Sequence, residues 1–255
     1  MKDKKIVVIG GTGLIGSKLV GKLKARGYHA VPAAPDTGVN ALTGQGLDAV
    51  LEGASVLVDV SNSPSFEEKA VMDFFTTSTR NLLAAAQKAG VRHYVALSVV
   101  GTDRLQASAY FRAKQVQETL IRESSLQYSI VHATQFFEFV KALADGAMAG
   151  NAVHFPPVLI QPMAANDVAT AVEQVAVENP VNGIVEVGGP EQFVLPEFVR
   201  EGLVARGDRR EVIANPSALY WGATLSERTL VPERGARLGA TRFKDWLQTA
   251  TISKQ

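Results

Sequence analysis

Apolar positions along the chain follow two alternating patterns. The runs "KKIVVIG", "YHAVPAA", "SVLVDVS", "VRHYVALS" and "LQYSIVHA" are largely unbroken and rich in β-branched residues, and each is too short for a helix. Such runs are what strands buried on both faces require. Between them, apolar residues recur every three or four places. Leu14 to Arg26 carries Leu14, Leu19, Val20 and Leu23 on one stripe and stops at Gly27, a helix with its terminator. "GQGLDAVLEG" predicts a short helix, residues 65–90 a long one ending at Gly90, and 108–124 another. "ANDVATAVEQVAVENP" predicts a later helix and "NGIVEVGG" a sixth strand. Alternation of this kind predicts an α/β fold, a doubly wound parallel sheet with helices on both faces.

After Gly189 the rhythm stops. The stretch beginning "PEQFVLPEFVREGLVARGDRR" is richer in Arg, Glu and Pro, and no strand–helix repeat is visible in it. The expected organisation is a main domain over residues 1–189 and a small C-terminal lobe over 190–255, integrated with the first.

Composition excludes several classes. The 255 residues carry a formal net charge of +1, which points to neither nucleic acid nor a polybasic membrane surface. With no cysteine, disulfides, thiolate catalysis and cysteine-based metal sites are ruled out, and a reducing compartment fits. His29, His93, His132 and His154 show no ligand spacing, so no metal is expected. The opening "MKDKKIVVIGGTGLIGSKLV" has the lysines and apolar run of a leader, but glycines and Lys18 interrupt it. No apolar stretch approaches the ~18 residues of a spanning helix. A soluble cytoplasmic protein is expected.

The chemistry begins in "IGGTGLIGS". Gly10, Gly13 and Gly16 lie between the first strand and the first helix, with Thr12, Leu14 and Ile15 among them. In that position the first glycine permits the tight turn, the second lets backbone approach a pyrophosphate, and the third lets helix pack on strand. The helix N-terminus presents amides and a positive dipole end to phosphate. A dinucleotide is the expected ligand. Asp36 lies near the tip of the second strand in "AAPDTG". It reads either as the partner of an adenosine ribose or as a turn residue before Thr37 and Gly38. No Arg or Lys stands beside it, which leans toward NAD, and the choice between NAD and NADP stays open.

Three stretches together carry a family resemblance. "VVIGGTGLIGS", "STRNLLAAAQKAGVRHYVALSVVG" and "ATQFFEFV" resemble, in order, the cofactor turn, the long helix into the fourth strand, and the segment after the fifth strand of atypical short-chain dehydrogenases/reductases, the last as in their NmrA-like branch. The resemblance spans roughly residues 4–190. It implies a Rossmann fold, a nicotinamide cofactor and a substrate pocket roofed by the C-terminal lobe. Many NmrA-like proteins lack Tyr-x-x-x-Lys and act as redox-sensing regulators, whereas this chain keeps Tyr110 and Lys114 and has Ser98 where the family's active-site serine sits.

Ser98 closes the fourth strand, at the carboxyl edge where open α/β sheets place ligands. Tyr110 and Lys114, four apart, share a helix face. A lysine near a phenol lowers its pKa, and Tyr110 then exchanges a proton with a carbonyl oxygen as hydride moves. In this scheme Lys114 holds the nicotinamide ribose and Ser98 the substrate carbonyl. Ser61 and Asn62 after the third strand, and Thr134, Gln135 and Phe136 after the fifth, are expected near the nicotinamide. Phe111, Phe136, Phe137 and Phe139 are candidates to line an apolar pocket, although aromatics at such spacing are more often core, and Tyr220 and Trp221 are pocket candidates of the same standing. The expected activity is NAD(P)-dependent oxidoreduction of a carbonyl or hydroxyl group of a small organic molecule. A non-catalytic NAD(P) redox sensor and an epimerase or isomerase with retained cofactor remain as alternatives.

Overall fold

The first strand, β1 (Lys5–Ile9), pairs in parallel on one side with β2 (His29–Ala33) and on the other with β3 (Ala54–Asp59). The computed structural model describes residues 4–252. Further parallel strands are β4 (His93–Val99), β5 (Tyr128–Ala133), β9 (Gly183–Gly188) and β12 (Arg237–Leu238), giving one seven-stranded sheet in the order β12-β9-β5-β4-β3-β1-β2. The short strands β6 (Met148–Ala149), β7 (Ala152–Phe155) and β11 (Glu211–Ala214) form a second sheet, and β8 (Leu159–Ile160) pairs with β10 (Phe193–Val194). The helices are α1 (Leu14–Ala25), α2 (Leu47–Leu51), α3 (Glu68–Lys88), α4 (Ala109–Glu123), α5 (Val140–Gly146), α6 (Ala165–Val177), α7 (Leu195–Val204) and α8 (Phe243–Ile252). The expected doubly wound sheet is therefore present. Because β2 and β3 leave β1 in opposite directions, the carboxyl ends of β1 and β3 form the switch point where such sheets take ligands.

The apolar runs are buried for the reason their pattern gave: Ile6, Val7, Val8, Leu57, Val58, Val95 and Ile130 are all fully buried strand residues. Among the described residues no helix is long and apolar enough to cross a membrane.

The domain boundary differs from the expected one. The chain forms two units, each assembled from three segments: residues 1–98, 109–132 and 168–185 in the first, and 99–108, 133–167 and 186–255 in the second. The second unit thus begins at the carboxyl end of β4 and takes up the excursion after β5, well before residue 190. It is also more regular than expected. Leu195, Phe198, Val199, Gly202 and Leu203 are buried at helical spacing along α7, which begins with a proline in its first turn, where a missing N–H costs nothing. A cluster of Phe137, Phe193, Phe198, Phe243 and Trp246, with neighbouring ring centroids 4.7–6.3 Å apart, forms this unit's aromatic core.

Candidate functional site

The glycine turn leaves the carboxyl end of β1 and enters α1. Gly10 has φ +75°, and a Cβ there would stand 3.0 Å from the backbone of Ser61, so only glycine joins β1 to the switch point at this angle. A Cβ at Gly16 would lie 2.0 Å from the Gly10 carbonyl oxygen; its absence lets α1 close against the turn. Gly13 is different. Its backbone is extended, with φ −76° and ψ −175°, and a Cβ there would meet only the Gly10 oxygen, at 3.3 Å. The chain itself therefore constrains Gly13 less than Gly10 or Gly16. No side chain caps α1, and the amides of Leu14, Ile15 and Gly16 have no hydrogen-bond partner among the described residues. That is an anion cradle at a helix N-terminus. Ile15 is buried and holds the turn to the core, whereas Leu14 is 40% exposed.

Asp36 sits in a 3-10 turn (Pro35–Thr37) just past β2, and the Thr12 hydroxyl donates to its Oδ1 at 3.0 Å. The turn residue is thereby tethered to the glycine loop. At the end of β3 the Ser61 amide and hydroxyl both donate to Asp59 Oδ1, at 3.0 and 2.6 Å. Exposed Asn62 accepts the Ser63 amide through Oδ1 at 3.0 Å and shapes the loop.

The face between the strands and α4 is polar where an apolar seam is the norm. Lys114 is 2% exposed; its ammonium donates to the Leu97 carbonyl at 2.8 Å and to Gln117 Oε1, and lies 4.5 Å from the Phe75 ring centroid. Gln117 Nε2 donates to Asp59 Oδ2 at 3.0 Å, and the Tyr94 hydroxyl reaches the same oxygen at 3.4 Å. Burial pushes the Lys114 ammonium down to about 8, against the opposing pull of Asp59 and Glu118. Burial also holds the Asp59 carboxyl above the usual carboxylate range, although Ser61 and Lys114 oppose this. Beside this group, Glu118 Oε1 accepts the Ser98 hydroxyl at 2.6 Å and lies 2.8 Å from His132 Nε2, while Arg122 donates to Oε2 at 2.6 Å. Burial alone would raise the Glu118 carboxyl; His132, Ser98 and Arg122 together outweigh it and hold the group below its ordinary value.

Two expectations about the Ser98–Tyr110–Lys114 set differ from this geometry. The Ser98 side chain is turned to α4 and its hydrogen is committed to Glu118, so a substrate carbonyl would have to displace that carboxylate to receive it. Side chains alternate along a strand, and Ser98 falls on the α4 side. The Tyr110 phenol is not lowered by Lys114. Burial pushes it well above its ordinary value, because the half-buried ring stands among Phe66, Phe75 and Phe111 at centroid distances of 5.6, 6.0 and 5.4 Å. Its hydroxyl has no hydrogen-bond partner among the described residues. Tyr110 and Lys114 do share a helix face, since both meet Phe75.

In the second unit, the Thr134 hydroxyl and both side-chain polar atoms of Gln135 are buried without a hydrogen-bond partner among the described residues. An unpaired buried amide costs about 1–3 kcal/mol, a cost that a bound amide or hydroxyl would remove. Phe136 stacks on Phe139, with centroids 5.3 Å apart. Phe111, Phe137 and Tyr220 are core residues, whereas Phe139 and Trp221 are more than a third exposed. The residues that sequence reasoning missed are Asp59, Tyr94, Gln117, Glu118 and His132. Their signal was an acid inside the apolar run "SVLVDVS" and the polar "KQVQE" on the inner stripe of a helix.

An open glycine cradle and helix amides without a partner among the described residues fit the pyrophosphate of a dinucleotide. Residues 10–142, just over half of the chain, match the family model described as NAD(P)H-binding. The chain belongs to this NAD(P)H-binding family. NAD(P) is accordingly its cofactor class.

Among curated members, the chain is 25% identical over 236 residues to the chloroplastic divinyl chlorophyllide a 8-vinyl-reductase of Arabidopsis thaliana, covering 76% of this chain and 55% of that one. It is 27% identical over 161 residues to the (4-alkanoyl-5-oxo-2,5-dihydrofuran-3-yl)methyl phosphate reductase of Streptomyces griseus, covering 58% and 54%. The chain thus spans about half the length of the curated relatives it matches. Among solved structures, MoeE5 in complex with UDP-glucose and NAD superposes with a TM-score of 0.73 at 18% identity, over 98% of this chain and 100% of that one. That likeness is one of fold.

Proposed function

We propose that this NAD(P)H-binding protein is an oxidoreductase that moves a hydride to or from a carbonyl or hydroxyl group of a small organic molecule. The observation that carries this reading is Tyr110, a phenol with no hydrogen-bond partner among the described residues that shares its helix face with a buried lysine. That the Arabidopsis and Streptomyces relatives are named as reductases supports the class. Bound nicotinamide supplies or accepts the hydride.

The chain's residues do the rest. Gly10 to Gly16 and the first amides of α1 bind pyrophosphate; Thr12 holds Asp36 where the adenosine ribose is recognised. Gln135 and Thr134, in the second unit, carry buried polar groups without a hydrogen-bond partner among the described residues, open to an amide or hydroxyl of a ligand. Tyr110, kept neutral by burial, holds a proton at its phenol oxygen and gives it to the substrate oxygen. Lys114, fixed by Leu97 and Gln117, holds its ammonium on the same face of α4, one turn beyond Tyr110. Ser98 acts on this scheme through Glu118, by locking β4 to α4.

Substituting Tyr110→Phe keeps the ring packing and removes the proton. Turnover falls by roughly 10²–10⁴ while cofactor affinity barely moves. Wild-type turnover by a folded Tyr110→Phe protein would refute the reading. A second reading, a redox sensor without turnover, draws on the internal commitment of Ser98 and Lys114. It predicts NAD(P) binding of equal strength in both proteins and no cofactor oxidation with any carbonyl compound.

A further inference from the structure

The amino ends of β1, β3, β4 and β5 lie at the edge of the sheet away from the glycine turn. There, within the first unit, a cavity of about 490 Å³ opens among Lys4, Ser55, Arg92, His93, Gln127 and Glu178, with Val56 and Pro180 as apolar walls. Nothing in the proposed reaction uses it.

His93 is the built part of this cavity. It is 3% exposed, and its Nε2 lies 2.8 Å from the Ser129 hydroxyl. Ser129 is fully buried and accepts the Val181 amide at 3.2 Å. Its single hydroxyl hydrogen needs an acceptor in that dry setting, and His93 Nε2 is the one at hand. The proton of the neutral ring is therefore assigned to Nδ1. Nδ1 has no hydrogen-bond partner among the described residues, so the ring turns an unused donor to the cavity it lines. Two cations stand with it. Arg92 is steadied by donating to the Ser55 hydroxyl at 3.3 Å, and among the described residues the rest of its side-chain fork has no hydrogen-bond partner. Lys4 is near enough for its charge, after burial, to help press His93 down to about 4. His93 is thus a neutral donor at pH 7 in a lining that also holds an ammonium, a guanidinium and the opposing charge of Glu178.

We propose that this cavity binds a small organic molecule through one oxyanion head group, a carboxylate or a phosphate, held by Lys4, Arg92 and the Nδ1–H of His93. Two cations and a neutral N–H donor outweigh the single carboxylate of Glu178 in the lining and favour an anion, and a guanidinium pairs with either head group in fork geometry. The volume falls in the range of small-molecule sites and exceeds that of a head group alone, so Val56 and Pro180 flank the body of the ligand. The cations are near solvent, which makes the affinity fall with salt.

The test is the nitrogen NMR signal of the His93 ring in the full chain, titrated with inorganic phosphate, with acetate, and with sodium chloride at matched ionic strength. Phosphate or acetate is expected to move the Nδ1 signal and raise the pH at which the ring protonates; whichever acts more strongly names the head group. Arg92→Gln and Lys4→Gln, both surface changes that leave the fold intact, are expected to abolish the response. Failure of both anions to shift the signal, an equal shift from chloride, or an undiminished response in Arg92→Gln overturns the proposal. So does an equal shift on adding NAD(P), which would make this the cofactor's site. None of these results depends on whether the protein turns over a substrate.

Discussion

Lys114 and Asp59 place two charges where the protein would be more stable with none. The fall of the lysine from 10.5 to about 8 corresponds to about 3 kcal/mol of stability lost to its charge at neutral pH. Removing the charge of Asp59 adds to the gain, since burial disfavours that carboxylate as well. The double substitution Asp59→Asn with Lys114→Met forfeits the two hydrogen bonds of the ammonium, each worth about 1 kcal/mol. The variant should then be more stable than the parent at pH 7 by about 1 kcal/mol, within the range seen when buried ion pairs are replaced. The pH dependence is sharper. Folded Lys114 releases its proton near pH 8 and unfolded Lys114 near 10.5, so between those values the unfolded state holds more protons and the parent gains stability as pH rises. The variant has no such gain. Its advantage at pH 7 should become a deficit of about 2 kcal/mol by pH 10.5. Denaturant unfolding at both pH values measures this, alongside cofactor affinity and turnover, which should fall. A variant less stable than the parent at pH 7, or a difference that ignores pH, refutes the argument.

Gly13→Val should fold, because only the Gly10 oxygen has to yield by a few tenths of an ångström, yet lose NAD(P) binding by calorimetry; Gly16→Val should fail to fold. Unchanged affinity in folded Gly13→Val would remove the cofactor from this turn. Asp36→Ser should shift relative affinity toward NADP by about 1 kcal/mol, the scale of one partly screened charge, and a constant ratio would leave Asp36 a turn residue. His93 ionises near pH 4 in the fold and near 6.5 unfolded. Protons therefore favour the unfolded chain as pH falls through that window, costing up to about 3 kcal/mol. Unfolding of His93→Gln should lack this dependence, and an identical acid profile would contradict it.

The sheet was legible because burial on both faces demands unbroken apolar runs, and β1, β3, β4 and β5 have them. The glycine turn was legible because Gly10 and Gly16 answer to backbone geometry that no other residue satisfies. The partners of Ser98 and Lys114 were not legible. Strand alternation decides whether Ser98 faces α4, and one residue of register inverts the answer. The chemistry of Lys114 depends on Asp59, 55 positions earlier, and sequence spacing carries no such information. The α7 helix was hidden by Pro196 and its charged residues, although Leu195, Phe198, Val199 and Leu203 kept the helical period.

The interleaving of the two units constrains how the protein can be made. During synthesis the first unit stays incomplete until Val185 has been added. The Glu173 that pairs with Arg26 of the first βα unit at 2.6 Å arrives 147 residues late, and Asn182, which ties down the start of β5, comes later still. Half-built chains therefore leave the ribosome with the outer edge of β5 still lacking β9, the late long-range closure that slows folding and exposes a strand edge to aggregation. No single cut separates a fragment able to fold alone, and exchanging the second unit between relatives would mean grafting three segments at once. Redesign of the second unit therefore proceeds by point substitution within its segments, because no single stretch carries it as a cassette.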